Sequence, residues 1–236
     1  MKLVRAKVGP FKSINSPQDV AIDDRVTVLV GMNEAGKTIF LQALEKSEDA
    51  LQVTEFDPVD DYPRKDLSAY LKRHKDDAEL VTSLTYRLED SEVTEINAEL
   101  GTRVQKGFEF SVNHFYSNTT TITISVEEKP IIQSLLGRLS AGSKAKIKGA
   151  DSLRQIPEKL KGASLTDEDK AFLEEINSRI SQTKWQNVVA SEAWTWLSQR
   201  LPKFLYFSDY DMLPSKINLT DLAQRVEQRR PEVTSR

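Results

Sequence analysis

Eight consecutive residues, Gly31-Met32-Asn33-Glu34-Ala35-Gly36-Lys37-Thr38, satisfy the pattern G-x-x-x-x-G-K-[ST] and constrain the fold more than any other stretch of the chain. The run before them, Val26-Thr27-Val28-Leu29-Val30, is β-branched and apolar and predicts a buried strand. The run after them, from Thr38, predicts a helix reaching about Leu51, with apolar residues at 40, 41 and 44. Strand, glycine loop and helix in that order are the context in which such a loop cradles phosphate. Gly31 and Gly36 allow a tight turn whose N–H groups face an anion, and the positive end of the following helix adds to the attraction. Within this pattern Lys37 is expected to neutralise the β- and γ-phosphates of a nucleoside triphosphate, with the Thr38 hydroxyl a ligand of Mg²⁺.

The chain has 236 residues, enough for one large domain or a domain with an insertion, and 39% of them are hydrophobic. No run of about 18 apolar residues predicts a membrane span. The absence of cysteine excludes disulfides and thiolate metal sites, and the N-terminus lacks the apolar core of a signal peptide, so a cytoplasmic location is expected. A net charge of −3 gives no global support for nucleic-acid binding. Charge is nevertheless uneven: residues 55–61 are acidic, whereas Lys144, Lys146, Lys148, Arg154, Lys159 and Lys161 make a basic segment able to touch a phosphate backbone or simply to be solvated.

Strands are expected over 2–8 and 19–22, with a break at Gly9-Pro10 and a turn at Asn15-Ser16-Pro17 between them. Residues 55–65 predict an acidic surface loop, followed by a helix over 65–74. Period-two alternation over 81–88, 108–112 and 120–126 predicts an antiparallel sheet, with a helix over 91–100 and a turn at 117–119. Residues 130–200 are helical in composition: an apolar helix over 130–139, a flexible basic link over 140–149, then a capping box at Thr166–Asp169 opening a helix with Leu173, Ile176 and Ile180 at helical spacing. An apolar stripe through Val189, Ala193, Trp196 and Leu197 continues to Pro202, and its tryptophans suit a core better than base stacking. Residues 203–207 predict a strand, and the tail after Leu222 resembles a truncated end. His74 and His114 are isolated and are expected to be structural, and Asp60-Asp61-Tyr62-Pro63-Arg64 a solvated turn.

The run from Phe11 to Leu44 resembles the opening of ABC-type ATPases built like RecF and the structural-maintenance-of-chromosomes proteins. Among these it is most similar to the overcoming-lysogenization-defect (OLD) nucleases and related AAA-labelled ATPases of phage defence. The matching residues are Phe11, Lys12, Ser13 and Ile14, then Gly31, Asn33, Gly36, Lys37 and Thr38; Lys12 stands where those proteins carry arginine. The resemblance implies an α/β P-loop NTPase fold with an antiparallel side sheet and a helical insertion. Residues 1–129 with 201–222 would form the ATP-binding lobe, 130–200 the insertion or arm, and 223–236 the tail. It implies ATP and Mg²⁺ as cofactors, with Gly31, Asn33, Glu34, Ala35, Gly36, Lys37, Thr38 and Lys12 around the nucleotide and Thr38 on the metal. A second ATPase head completes the site in such proteins, and DNA is their substrate in repair or phage defence.

Hydrolysis in that family also needs a signature serine and an Asp-Glu strand. Leu139-Ser140-Ala141-Gly142 imitates the first but fits a loop, and Asp209 is a weak catalytic candidate for the second because no glutamate follows it. The expected function is ATP binding within an ATPase that acts on DNA, with weak or no turnover by this segment alone. The alternative is a nucleotide-switched protein-binding module without turnover. A small-molecule kinase would need an arginine-rich lid, for which only Arg225, Arg229 and Arg230 are available.

Overall fold

A computed structural model describes residues 1–33, 35–51 and 54–207. Five strands form one antiparallel sheet: β1 (Lys2–Val8), β2 (Gln18–Ala21), β3 (Leu80–Arg87), β4 (Glu109–Phe115) and β5 (Thr120–Thr123), in the order β2-β1-β3-β4-β5. Register follows from the alternation in the sequence. Ala6 stands opposite Leu84, Val8 opposite Thr82, Leu84 opposite Val112 and Tyr86 opposite Phe110, so one face of the sheet is buried and the other carries Arg5, Lys7, Thr85 and Ser111.

Helices cover the buried face. Helix α1 (Lys37–Ser47) buries Phe40, Ala43 and Leu44, and its Ser47 hydroxyl meets the Thr82 hydroxyl at 2.7 Å. Short α2 (Pro58–Asp61) and α3 (Leu67–Arg73) follow, and α4 (Asp90–Leu100) starts in a Glu89–Glu92 capping box. Next come α5 (Lys129–Leu135), which runs on into a single 3₁₀ turn, then α6 (Ala141–Ile147) and α7 (Gln155–Leu160). The last are α8 (Asp167–Ser181) and α9 (Val188–Ser198). Among the described residues no helix is long and apolar enough to cross a membrane.

The architecture is α/β, as expected, and the helical section is present, but β1 and β2 belong to the same antiparallel sheet as β3 to β5, so there is no separate side sheet among the described residues. The strand expected at Val26–Val30 is not in the sheet. Val26, Val28 and Val30 are 71, 72 and 86% exposed. Among the described residues, the backbone N–H and C=O groups of Val28, Leu29 and Val30 make no hydrogen bond. The physical reason is positional: β1 to β5 satisfy one another as an antiparallel unit, and none of these strands lies alongside 26–30. The strand expected at 203–207 reduces to one parallel bridge, Phe204 to Asp49, with Phe204 N donating to Glu48 O at 2.7 Å and Ala50 N to Phe204 O at 2.9 Å. The chain divides after Phe204, so the domain-forming unit is Met1–Phe204.

The helical section is not an arm. Trp194 packs edge-on against Phe110 of β4, with centroids 6.4 Å apart, and Trp196 donates from Nε1 to Glu99 of α4 at 2.8 Å. Both tryptophans serve the core, as their helical spacing predicted. Residues 140–149, expected as a flexible link, instead contain α6. Ser140 caps it, accepting from Ser143 N, and Ile147 is buried.

That cap belongs to a larger cluster. Asp169, buried in the first turn of α8, accepts from Ser140 N (3.0 Å), Ser140 Oγ (2.7 Å), Ser143 Oγ (2.9 Å) and Thr166 N (3.2 Å). Thr166 Oγ1 in turn accepts from Asp169 N, so the expected capping box is present. One carboxylate thereby serves the N-termini of two helices. Hydrogen bonds to its charged form, led by that from Ser140 N, hold Asp169 well below the usual carboxylate range.

Candidate functional site

The phosphate-loop motif sits between two supports, one from β1 and one from α1. After β1 the chain turns at Gly9, whose φ is +114° and whose N–H donates to Val81 O at 2.9 Å. Phe11 and Ile14 then close a tight turn through paired bonds, Phe11 N to Ile14 O (2.9 Å) and Ile14 N to Phe11 O (2.8 Å), with both side chains buried. Ile14 is wedged between two bare backbones. A Cβ on Gly9 would come within 2.7 Å of Ile14 Cγ2, and one on Gly36 within 3.3 Å of Ile14 Cγ1. Gly36 also has φ +87° at the N-cap of α1, a conformation that disfavours any side chain. Gly31 differs: its φ is ordinary, and a Cβ there would make only van der Waals contact with Ala35 and Lys37.

Helix α1 begins without a side-chain cap and without an acidic residue in its first turn. Its first intrahelical bond is Phe40 N to Gly36 O at 2.8 Å, so the N–H groups of Lys37, Thr38 and Ile39 precede the ladder. These residues, with Ser13, Asn33 and Gly36, line a cavity of about 710 Å³. The Lys37 ammonium spans the loop, donating to Gly31 O at 2.8 Å and to Met32 O at 2.7 Å. Ala35 N donates to Met32 O at 3.3 Å, which folds the loop back on itself. The Thr38 hydroxyl is exposed and makes no hydrogen bond among the described residues.

Of the residues expected around a nucleotide, Asn33, Gly36, Lys37 and Thr38 come together in this cavity. Gly31 contributes its carbonyl to Lys37 and Ala35 its turn bond, while Glu34 lies outside the described residues. Lys12 is placed elsewhere. Its φ is +47°, its N–H donates to Asp61 O at 2.5 Å, and its ammonium donates to Gln42 of α1 at 3.2 Å while lying 5.3 Å from the Phe11 ring centroid. Ser13, by contrast, lines the cavity although its spacing from the loop gave no reason to assign it. The turn brings it there together with Ile14: a Cβ on Gly36 would lie 3.8 Å from Ser13 Oγ.

The turn expected to be solvated at Asp60–Arg64 is so only in part: Asp60 and Arg64 are exposed, whereas Asp61, Tyr62 and Pro63 are buried. Asp61 is buried: its carboxylate accepts from Lys46 of α1 at 2.5 Å and from Asp57 N at 3.0 Å. Tyr62 stacks on Tyr70 with centroids 4.0 Å apart. Tyr116, at the end of β4, donates from its hydroxyl to Pro10 O (2.9 Å) and Asp61 O (3.0 Å), tying α2 to the turn that carries Ile14. Burial, reinforced by Asp61, pushes the Tyr116 hydroxyl far up from its ordinary pKa. An ion pair and aromatic packing thus override local charge.

The histidines are structural, as expected. His74 Nδ1 lies 2.7 Å from the Tyr70 hydroxyl, and His114 is buried on β4, where burial lowers its pKa. Leu139–Gly142 offers no free signature serine, because Ser140 is held by Asp169. A second hollow, of about 570 Å³, lies beside Glu127, Glu128 and Asp151. Its buried carboxylate, Glu128, is fully engaged in accepting from Leu153 N, Val188 N and Val189 N. Among the described residues no group of three or more His, Cys, Asp or Glu side chains could hold a metal ion. Asp209 lies outside them.

Comparison with family models gives no match to this chain, and no curated protein matches it in sequence.

Proposed function

We propose that this chain binds ATP at the Gly31–Thr38 loop as the N-terminal part of an ABC-type ATPase that acts on DNA. The observation that carries the nucleotide half is the placement of the Lys37 ammonium across the carbonyls of Gly31 and Met32, in a cavity walled by Ser13, Asn33 and Thr38. An ammonium so held can exchange carbonyl oxygens for phosphate oxygens with a small movement of a long side chain. The leading N–H groups of α1, free of any acidic neighbour in the first turn, supply further donors to the same anion.

The donor set also fits the metal that accompanies a nucleoside triphosphate. Thr38 Oγ1 would be one of its ligands beside phosphate oxygens, and the ion would neutralise charge on the β- and γ-phosphates. What these residues do is bind and orient: Lys37 and the α1 amides fix the polyphosphate, and Ile14 fixes the loop. The DNA half rests on the resemblance of Phe11–Leu44 to DNA-acting ATPases.

Calorimetry with ATP and Mg²⁺ tests the nucleotide half. Replacing Lys37 by alanine is expected to weaken binding by at least about tenfold, the loss of one charge-assisted contact of about 1.5–3 kcal/mol. An unchanged affinity would refute the assignment.

A further inference from the structure

Between Lys144 and Lys161 the chain carries five lysines and only two acidic residues. The structure gathers them at one corner of the helical section. Lys144 and Lys146 lie on α6, Lys148 caps its C-terminus, Lys159 is in the last turn of α7, and Lys161 caps that helix; α6 packs on α7. Lys146, Lys148 and Lys161 are exposed, and none of the five lysines has an ion-pair partner among the described residues. Of the nearby acids, Asp151 is paired with Lys129 at 3.0 Å, and at the start of α8, which packs on α7, Asp167 is paired with Lys170 and Asp169 is bonded to Ser140 and Ser143; among the described residues Glu158 and Glu168 are left without an ion pair against the five cations. Arg154 does not add to the exposed charge, since its guanidinium is bonded to Thr183 O and Trp185 O.

A solvated helix face normally mixes its signs. The exposed lysines around α3 do so, with Asp66, Asp76 and Asp77 beside Lys65, Lys72 and Lys75. The α6–α7 corner instead carries an excess of cations, and unbalanced positive charge is the footprint of a polyanion.

Two features choose among polyanions. The corner's apolar side chains, Ile147, Leu153, Ile156 and Leu160, are all buried, so it has no wedge to insert into a lipid surface. It also presents lysines without exposed aromatic rings among them, so it lacks platforms for stacking unpaired bases. Point charges without stacking match the densest regular array of phosphates, the duplex backbone.

We propose that the α6–α7 corner is a docking surface for the phosphate backbone of double-stranded DNA. It rests on the DNA half of the proposed function and is independent of the nucleotide half, with which it shares no residue.

The test measures binding of the whole chain to a fluorescent duplex of arbitrary sequence by anisotropy across a salt series. It compares the wild type with two triple variants: Lys146→Gln/Lys148→Gln/Lys161→Gln at the corner, and Lys65→Gln/Lys72→Gln/Lys75→Gln, which makes the same change in net charge at α3. Each lost phosphate contact reduces the slope of log affinity against log salt by about 0.9. The wild type should therefore lose about 40-fold more affinity than the corner variant between about 50 and 200 mM salt. The α3 variant should keep the wild-type slope.

Equal slopes in the wild type and the corner variant overturn the inference but leave DNA binding standing. An equal loss in both variants overturns it too, by showing a response to net charge alone. No duplex binding by the wild type removes both the inference and the DNA half of the proposed function. Tighter binding to phosphatidylserine vesicles than to duplex replaces DNA with a membrane. Should the triple variant fail to fold, Lys148→Gln and Lys161→Gln taken singly carry the test, each with a slope reduced by about 0.9. ATP calorimetry on the corner variant is expected to match the wild type.

Discussion

Ile14 Cγ1 lies where a methyl group on Gly36 would stand only 3.3 Å away, so the turn after β1 presses directly on the N-cap of α1. The phosphate loop is consequently held from beneath by a residue outside its own motif.

The two glycines of the motif are therefore unequal. Gly36→Ala should add strain of about 1–2 kcal/mol from its positive φ alone, together with the contact on Ile14, and should reduce ATP affinity. Gly31→Ala, with ordinary φ and ordinary contacts, should leave both stability and affinity near wild type. Urea unfolding and ATP calorimetry on the two variants read this out, and equal loss at both sites would contradict it.

Tyr116→Phe removes the hydroxyl that joins Pro10 O and Asp61 O. The expected cost is about 1–2 kcal/mol in urea unfolding, the range for a buried hydrogen bond whose acceptors stay behind. ATP affinity should also fall, because this hydroxyl secures the turn that carries Ile14. A stability change without an affinity change would separate the two.

His114 is buried with its pKa lowered by that burial, and its Nε2 has no hydrogen-bond partner among the described residues. The unfolded chain binds the proton more readily than the folded one, so this contribution to stability is intact above the unfolded value near 6.5. It is lost as the pH falls from there through the depressed folded value. Urea midpoints measured from neutral pH downward should decline, and His114→Gln should flatten that decline. Identical pH profiles would count against the assignment.

Asp169 holds the N-termini of α6 and α8 together. Asp169→Ala should lower the thermal midpoint and expose 140–170 to protease, with ATP affinity unchanged. Because its folded pKa is depressed, its contribution is present above the ordinary carboxylate range and disappears only as the pH falls below it. Ser143→Ala, which removes one of four donors, should have a smaller effect on the same midpoint.

Much of the fold was legible in the sequence. Alternation placed β1, β3 and β4 because each strand has one buried and one solvated face. The Thr166 capping box and the spacing of α9 were legible because helix starts and stripes are local signals. What misled was any stretch whose environment is set from a distance. Val26–Val30 has a strand's composition, yet no strand among the described residues lies alongside it. Asp61 and Tyr62 have a loop's composition but meet Lys46 and Tyr70. Residues 140–149 are rich in lysine and glycine, and only Asp169, twenty-nine residues away from Ser140, makes their helix legible. At the candidate site the motif itself was readable, whereas the support from Ser13 and Ile14 was not, because contact between β1's turn and α1 leaves no spacing rule.

The bonds from α9 to the rest of the molecule have a mechanical corollary. Trp196 is fastened to Glu99 and Trp194 is seated on Phe110, on the same sheet face that α1 covers. A load applied to α9 would therefore pass through these packed side chains to the sheet face that α1 covers.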